Sequence, residues 1–345
     1  MRDRTERWRK RAQRLRKPLR FCVVLLAFSA TLTPALAQDE IKVGIGYGLA
    51  FLPIYICEDL KLVEKHAKEA HLDAKAEFQH FTSAAEAQAA LASGDINIAP
   101  FGTAPLLAAW EKGRNKPEQV FAVSGLTSLP LTLLSNQPDV QSIADLKSAD
   151  QIAMPTLTSP QMYVLELQSE KALNRYDRLK SQVVALSHAD AINDLVEGTG
   201  QVRAYFASPP YAELALRHAK IHAVLNSSDV MGGKFSFVIL AATKAYIDAA
   251  PRVPEVIEKA MDDAARIIHD DPRRAAQIYL THEPSDLMNG TAMEAVIRDI
   301  RGEFGSAVYG VKAIADFMGR HGELATVPQG FQDVAVSALA STPSN

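Results

Sequence analysis

Residues 83–105 constrain this chain more than any other stretch, because they spell a helix, a stop, a strand and a second helix in quick succession. Ser83 and Glu86 have capping-box spacing, so the Ser83 hydroxyl is expected to take a first-turn N–H while Glu86 reaches back. Ala87, Ala90 and Leu91 give the helix a narrow apolar face, and Gly94 supplies a left-handed stop. Residues 95–99 then alternate polar with apolar, which predicts a short strand. Pro100 to Thr103 turn the chain, and Pro105 falls in the first turn of the next helix with Thr103 or Ala104 as its cap. Such a step sets free amides at the carboxyl end of a strand, where open α/β sheets bind ligands.

The same grammar continues on both sides. Residues 41–45 read as a first strand, Pro53 as a helix start, 62–70 as a helix and 74–81 as a strand. Residues 120–134 are apolar but hold Gly125 and Pro130, so two extended pieces meeting at a bend are expected. Beyond them come a short helix at 142–146, a strand at 151–154 and a proline-started helix from Pro160 to Leu173. Strands at 183–186, 202–206 and 222–225 alternate with helices capped by Ser187 and Ser208, and Gly232-Gly233 marks a return crossing. Helices at 243–250, 254–270, 272–280, 293–301 and 311–318 follow, and a loosely held tail is expected from Val327 onward.

Four strand-to-helix turns therefore repeat one arrangement, at Thr103 to Pro105, Thr158 to Pro160, Ser187 to Asp190 and Ser208 to Pro209. Any one of them is plain capping. Four in succession, at one edge of two sheets, would converge their amides and hydroxyls on a cleft.

The amino terminus reads differently. Residues 1–20 hold ten basic groups against Asp3 and Glu6, an apolar run follows at 21–32, and Ala35-Leu36-Ala37 offers small residues for cleavage. That is a secretory signal cut after Ala37, the run being too short for the roughly 20 apolar residues of a membrane span. Arg20 and Phe21 before Cys22 exclude a lipidation motif. The whole chain has 37 basic and 40 acidic residues; without residues 1–37 there remain 27 and 38, a formal charge of −11. An acidic chain of this kind disfavours a nucleic-acid partner. Cys57 is then alone, so no internal disulfide forms, and it reads as a buried apolar residue.

The chemistry of an enzyme finds no constellation. Gly44, Gly46 and Gly48 lack dinucleotide-fingerprint spacing, and His66, His71 and His80 lack that of a zinc helix and read as surface histidines. Asp262-Asp263 and Asp270-Asp271 read as a solvated helix face. No nucleophile elbow, phosphate loop or CxxC pair occurs. We expect no catalytic residue, cofactor or metal.

Several motifs together resemble a known family. These are LASGDINIAPFGTAP, SIADLKSADQIAMPT, FASPPYAEL, the helical segment AYIDAAPRVPEVIEKAMDDAARIIHDDPRRAAQIYL, and GVKAIADFMGRHGEL. They are similar to the periplasmic solute-binding proteins of the nitrate, sulfonate and taurine class of ABC importers, with Asn97 in place of a familiar Asp. The resemblance implies a type II periplasmic-binding-protein fold, α/β, with mixed sheets flanked by helices in two lobes around a ligand cleft. Residues 38–127 with 236–345 would form lobe 1, and 128–235 lobe 2. It implies a monomer in the periplasm that closes by a hinge, binds a small molecule and docks on an inner-membrane permease with its cytoplasmic ATPase.

Carried over residue by residue, the ligand site comprises Gly48, Phe51, Ser83, Gly102 and Thr103 from lobe 1, and Thr158, Ser159, Gln161, His188 and Ser208 from lobe 2. Phe51, Phe101 and Tyr211 would shape the remainder. None of these turns carries Arg or Lys, and His188 is the one residue that could become cationic. The implied ligand is a small organic anion such as a sulfonate; a pyrimidine or other heteroaromatic is the alternative, and a ligand-sensing role beside a membrane receptor is a third.

Overall fold

The computed structural model describes residues 39–198, 200–285, 288–337 and 339. The expected secretory signal and Cys22 lie outside them.

Among the described residues, ten strands and thirteen α-helices follow the expected alternation. The first part runs β1 (Asp39–Ile45), α1 (Leu52–Leu60), α2 (Leu62–Glu69), β2 (Ala74–His80), α3 (Ala84–Ser93), β3 (Ile98–Phe101), α4 (Thr103–Lys112) and β4 (Val120–Thr127). The middle holds β5 (Thr132–Ser135), β6 (Gln151–Met154), α5 (Pro160–Leu173), β7 (Val183–Ala185), α6 (His188–Glu197), β8 (Val202–Ala207), α7 (Tyr211–Ala215), β9 (His222–Asn226) and α8 (Ser227–Met231). After β10 (Val238–Thr243) the chain is helical, through α9 (Lys244–Ala249), α10 (Val253–Asp270), α11 (Pro272–His282), α12 (Gly290–Ile300) and α13 (Val311–Arg320).

The strands form two five-stranded mixed sheets, ordered β2-β1-β3-β10-β4 and β7-β6-β8-β5-β9. Each sheet has three parallel strands, then one antiparallel strand, β10 or β5, that lies inside the sheet. Those two strands adjoin the crossings between the sheets. The crossings run side by side: Phe237 N donates to Thr127 O at 2.8 Å, and Ser227 N donates to Leu131 O at 2.8 Å.

Burial explains the elements. On α10, Val253, Val256, Ile257, Ala260, Met261, Ala264 and Ile268 recur at helical spacing and all are buried against the first sheet, its helices and each other. Cys57 is wholly buried beside them, its thiol pushed far up by loss of solvent. Phe101, Met154, Met162 and Phe206 belong to a second apolar cluster that continues from one sheet into the other.

Several expectations need correction. The central strand begins at Ile98 rather than Asp95 and is buried throughout, because β3 sits between β1 and β10 and is covered on both faces. Such a strand reads as a continuous apolar run, not as an alternation. Asn97 instead clamps β1, donating its N–H to Lys42 O and accepting the Lys42 N–H on Oδ1, both at 2.9 Å. Gly125 does not break β4. A Cβ there would lie 2.3 Å from Ala307 O, so glycine serves a close backbone approach, and Gly125 N donates to Ser306 O at 2.6 Å. As far as Val336 the expected tail is not loose: Phe331 and Val334 are buried, and the backbone of Val334 and Val336 hydrogen-bonds Ala122, covering the outer edge of β4; residues 338 and 340–345 of that expectation lie outside the described residues. His66 is buried too, between Glu69 and Asp263, and Asp263 also holds Lys65 and Arg266. These donors keep the Asp263 carboxyl far below its usual range despite partial burial.

Candidate functional site

A cavity of about 380 Å³ opens where the carboxyl ends of β1, β2 and β3 face those of β6, β7 and β8. From the first sheet its lining takes the turn after β1 (Gly46, Tyr47, Gly48, Phe51), the turn after β2 (Phe81, Thr82, Ser83) and the end of β3 (Phe101, Gly102), with Phe237 and Val238 at the start of β10. The second sheet contributes Pro160, His188, Ser208, Pro209 and Tyr211. The parallel strands of each sheet deliver these turns to one edge, which is why residues far apart in sequence meet. The size is that of a small-molecule site.

Six of the ten sequence-derived site residues line this cavity: Gly48, Phe51, Ser83, Gly102, His188 and Ser208. So do Phe101 and Tyr211. Thr103, Thr158, Ser159 and Gln161 do not. Thr103 is buried and its hydroxyl donates to Ser236 O at 3.0 Å, while Gly102 holds the N-cap position of α4 without a side-chain bond. Thr158 is exposed. Ser159 holds the N-cap position of α5 without a side-chain cap bond, its hydroxyl facing Met154 Sδ at 3.8 Å, and Gln161 is buried with Oε1 unpartnered among the described residues.

Capping by hydroxyl is thus realised at only one of the four repeated turns. Ser187 Oγ accepts the Asp190 N–H at 3.1 Å. Ser208 lies three residues before α7, which starts at Tyr211, and accepts first-turn N–H groups through its carbonyl instead. Ser83 caps α3 as expected, taking the Glu86 N–H at 3.2 Å, and Glu86 reaches back chiefly to the N–H and hydroxyl of Thr82.

The second-sheet wall is aromatic and neutral. The His188 ring stacks on Tyr211, with centroids 4.2 Å apart and planes within 11°, and His188 Nδ1 hydrogen-bonds the Tyr205 hydroxyl. Burial pulls His188 down from the ordinary 6.5 to about 4, so its ring is uncharged at neutral pH. The same burial raises the Tyr205 and Tyr211 phenols, leaving them as neutral hydroxyls.

The first-sheet wall holds a residue the sequence did not mark. Glu283, just past the end of α11, lines the cavity and accepts the Gly48 N–H at 2.6 Å and the Tyr55 hydroxyl at 2.5 Å on Oε1. Tyr55 is wholly buried on α1, stacks on His282 at 4.5 Å, and also donates within reach of Gly46 O at 3.2 Å. Glu283 and Gly48 are 235 positions apart, and only the packing of α1 against α11 brings them together. The local signal, an acid between a helical histidine and Pro284, has no functional meaning by itself. Among the described residues, no Lys or Arg lines the cavity, and no group of His, Cys, Asp and Glu could hold a metal ion.

A family model described as NlpA lipoprotein matches residues 49–194. No curated protein matches the chain in sequence. Among solved structures, the Escherichia coli periplasmic aliphatic sulphonate binding protein SsuA is 15% identical, with a TM-score of 0.69 over 88% of this chain and 99% of its own. The Xanthomonas axonopodis alkanesulfonate-binding protein SsuA, bound to MOPS, is 15% identical with a TM-score of 0.64, over 89% of this chain and 99% of that one. A Candida albicans gene product described as having the generic periplasmic binding protein fold is 14% identical, with a TM-score of 0.62 over 86% and 96%. At such identities the likeness is one of architecture, and the fold of this chain is that of the periplasmic binding proteins.

Proposed function

We infer that this chain is the periplasmic solute-binding component of an ABC importer, that residues 38–127 with 236–345 and 128–235 act as its two lobes, and that binding rather than catalysis is its activity. One observation carries the reading: the cavity is walled by the carboxyl-end turns of both sheets at once, the place where a hinge-closing protein would enclose a small solute. The structural neighbours whose names record sulfonate binding support transport of a small solute. Secretion through a cleaved signal and docking on a permease with its ATPase belong to the same reading.

For the ligand, a small organic anion such as a sulfonate is the reading the family resemblance implies, and a pyrimidine or other heteroaromatic is its rival. The wall chemistry favours the rival. Phe51, Phe81, Phe101, His188, Tyr211 and Phe237 line the cavity with aromatic rings, His188 is neutral, and Glu283 is an acid.

A thermal-shift screen of the protein, unfolded and refolded to strip any solute, tests this against sulfonates, nitrate, aromatic carboxylates and pyrimidines. A true ligand at a hundredfold excess over its Kd adds about 2.7 kcal/mol and raises Tm. A shift with one class names the solute; silence across all four classes would count against import of these solutes and for a sensory role.

A further inference from the structure

Glu283 is out of place in a site for an anion. Its carboxylate lines an otherwise aromatic and neutral cavity, and among the described residues no Lys or Arg lines that cavity or pairs with it. Oε1 is satisfied by the Gly48 N–H and the Tyr55 hydroxyl, whereas among the described residues Oε2 has one long partner, the Tyr279 hydroxyl at 3.4 Å. A carboxylate can accept about four hydrogen bonds, so the second oxygen retains lone pairs.

Among the described residues no basic side chain is paired with this carboxylate. Tyr55, Tyr279 and Tyr211 have phenols raised by burial and by this carboxylate, so they remain neutral. His188 is uncharged across the cavity, and His282, stacked on Tyr55, directs Nε2 to Asp59 at 2.9 Å. A carboxylate held by neutral donors in an aromatic enclosure is stabilised by a cation that completes its pairing, and aromatic faces attract the same charge.

We propose that Glu283 makes this cavity a site for a compact solute bearing a cationic nitrogen, an amidinium, a protonated amine or an aminoheterocycle, seated against its carboxylate with its flat or apolar part on the rings of Tyr211 and His188. The proposal rests on the solute-binding reading above and narrows its ligand class. Glu283 is fixed as a specificity residue: Gly48 and Tyr55 set its position, and its charge selects the ligand. An anion would meet repulsion at Glu283, the one charged residue that lines the cavity among the described residues.

The test uses pairs of probes matched in shape and opposite in charge. Benzamidine is compared with benzoate, and 4-aminopyridine, agmatine and choline with ethanesulfonate, taurine and nitrate, by calorimetry on the refolded protein. The expected result is binding of at least one cationic probe, benzamidine exceeding benzoate by at least tenfold in Kd. Glu283→Gln keeps an oxygen for Gly48 and Tyr55 but removes the charge; it should leave the Tm of the unliganded protein within a few degrees and weaken the bound cation at least tenfold. Tighter binding of the anions, or a cation whose affinity Glu283→Gln leaves unchanged, overturns the charge assignment while sparing the solute-binding reading. Silence from every cationic and every anionic probe overturns both.

Discussion

The two walls of the cavity are built by opposite means. On the first sheet, Glu283 is held by directed hydrogen bonds from Gly48 and the buried Tyr55, so a charge is fixed in place by donors. On the second, His188 and Tyr211 are held by stacking and burial, so two polar rings are kept neutral by loss of solvent. One wall positions charge and the other positions shape. The difference teaches that a cleft lined by similar turns from two sheets of similar plan need not be chemically symmetric, because what packs behind each turn decides its character.

Four experiments break or sharpen that contrast. The largest effect is expected from Glu283→Ala, which strips a charged acceptor from Gly48 and leaves the Tyr55 hydroxyl with Gly46 O alone. It should cost about 3 kcal/mol in denaturant unfolding, with Glu283→Gln costing well under half as much. Equal losses for the two variants would show that charge, not geometry, anchors this wall.

The second wall should show itself in acid. His188 is packed against the Tyr205 hydroxyl and the Tyr211 ring, and it titrates near 4 when folded against 6.5 ordinarily. Between those values the unfolded chain binds the extra proton, so stability falls as pH drops from about 6.5 to about 4 and levels off below. The contribution is about 2–3 kcal/mol, and His188→Gln should flatten that arm of a Tm-against-pH curve. An unchanged curve would place the ring in water rather than in the wall.

Between the walls, a Cβ on Gly102 would come within 3.2 Å of Pro160 Cγ. Gly102→Val should therefore wedge the sheets apart at a cost of about 1 kcal/mol, seen as a larger radius of gyration in small-angle scattering. An unaltered radius would mean that this contact does not limit closure. The smallest effect is expected from Thr158→Ala and Ser159→Ala, whose side chains face solvent and Met154 rather than the cavity. Stability and ligand affinity should stay within about 0.5 kcal/mol of the parent in unfolding and calorimetric titration; a strong loss of affinity would restore them to the site.

Local rules were legible wherever the residue that acts lies within a turn of the residue it acts on. Pro160 starts α5, Ser187 caps α6, and Gly94 and Gly198 end their helices in the left-handed conformation, each as its neighbours dictate. Legibility failed where a distant element changed the meaning of a residue. Thr103 looks like a cap, but the Ser236 carbonyl takes its hydroxyl; Gly125 looks like a break, but the backbone at Ser306 and Ala307 needs the space. Val327 onward looks like a tail, but the open edge of β4 recruits Val334 and Val336.

By itself, then, the sequence determined the order of strands and helices, the turns at the carboxyl ends and the candidate aromatics, because propensity, capping and periodicity act over a few residues. Tertiary structure alone decided which turns face one another, which hydroxyls are spent on backbone instead of left for a ligand, and that an acid beyond α11 enters the cavity 235 positions from its partner Gly48. The reason is that charge and solvation belong to the assembled wall: a carboxylate or an imidazole acquires its state from groups that only packing brings within reach.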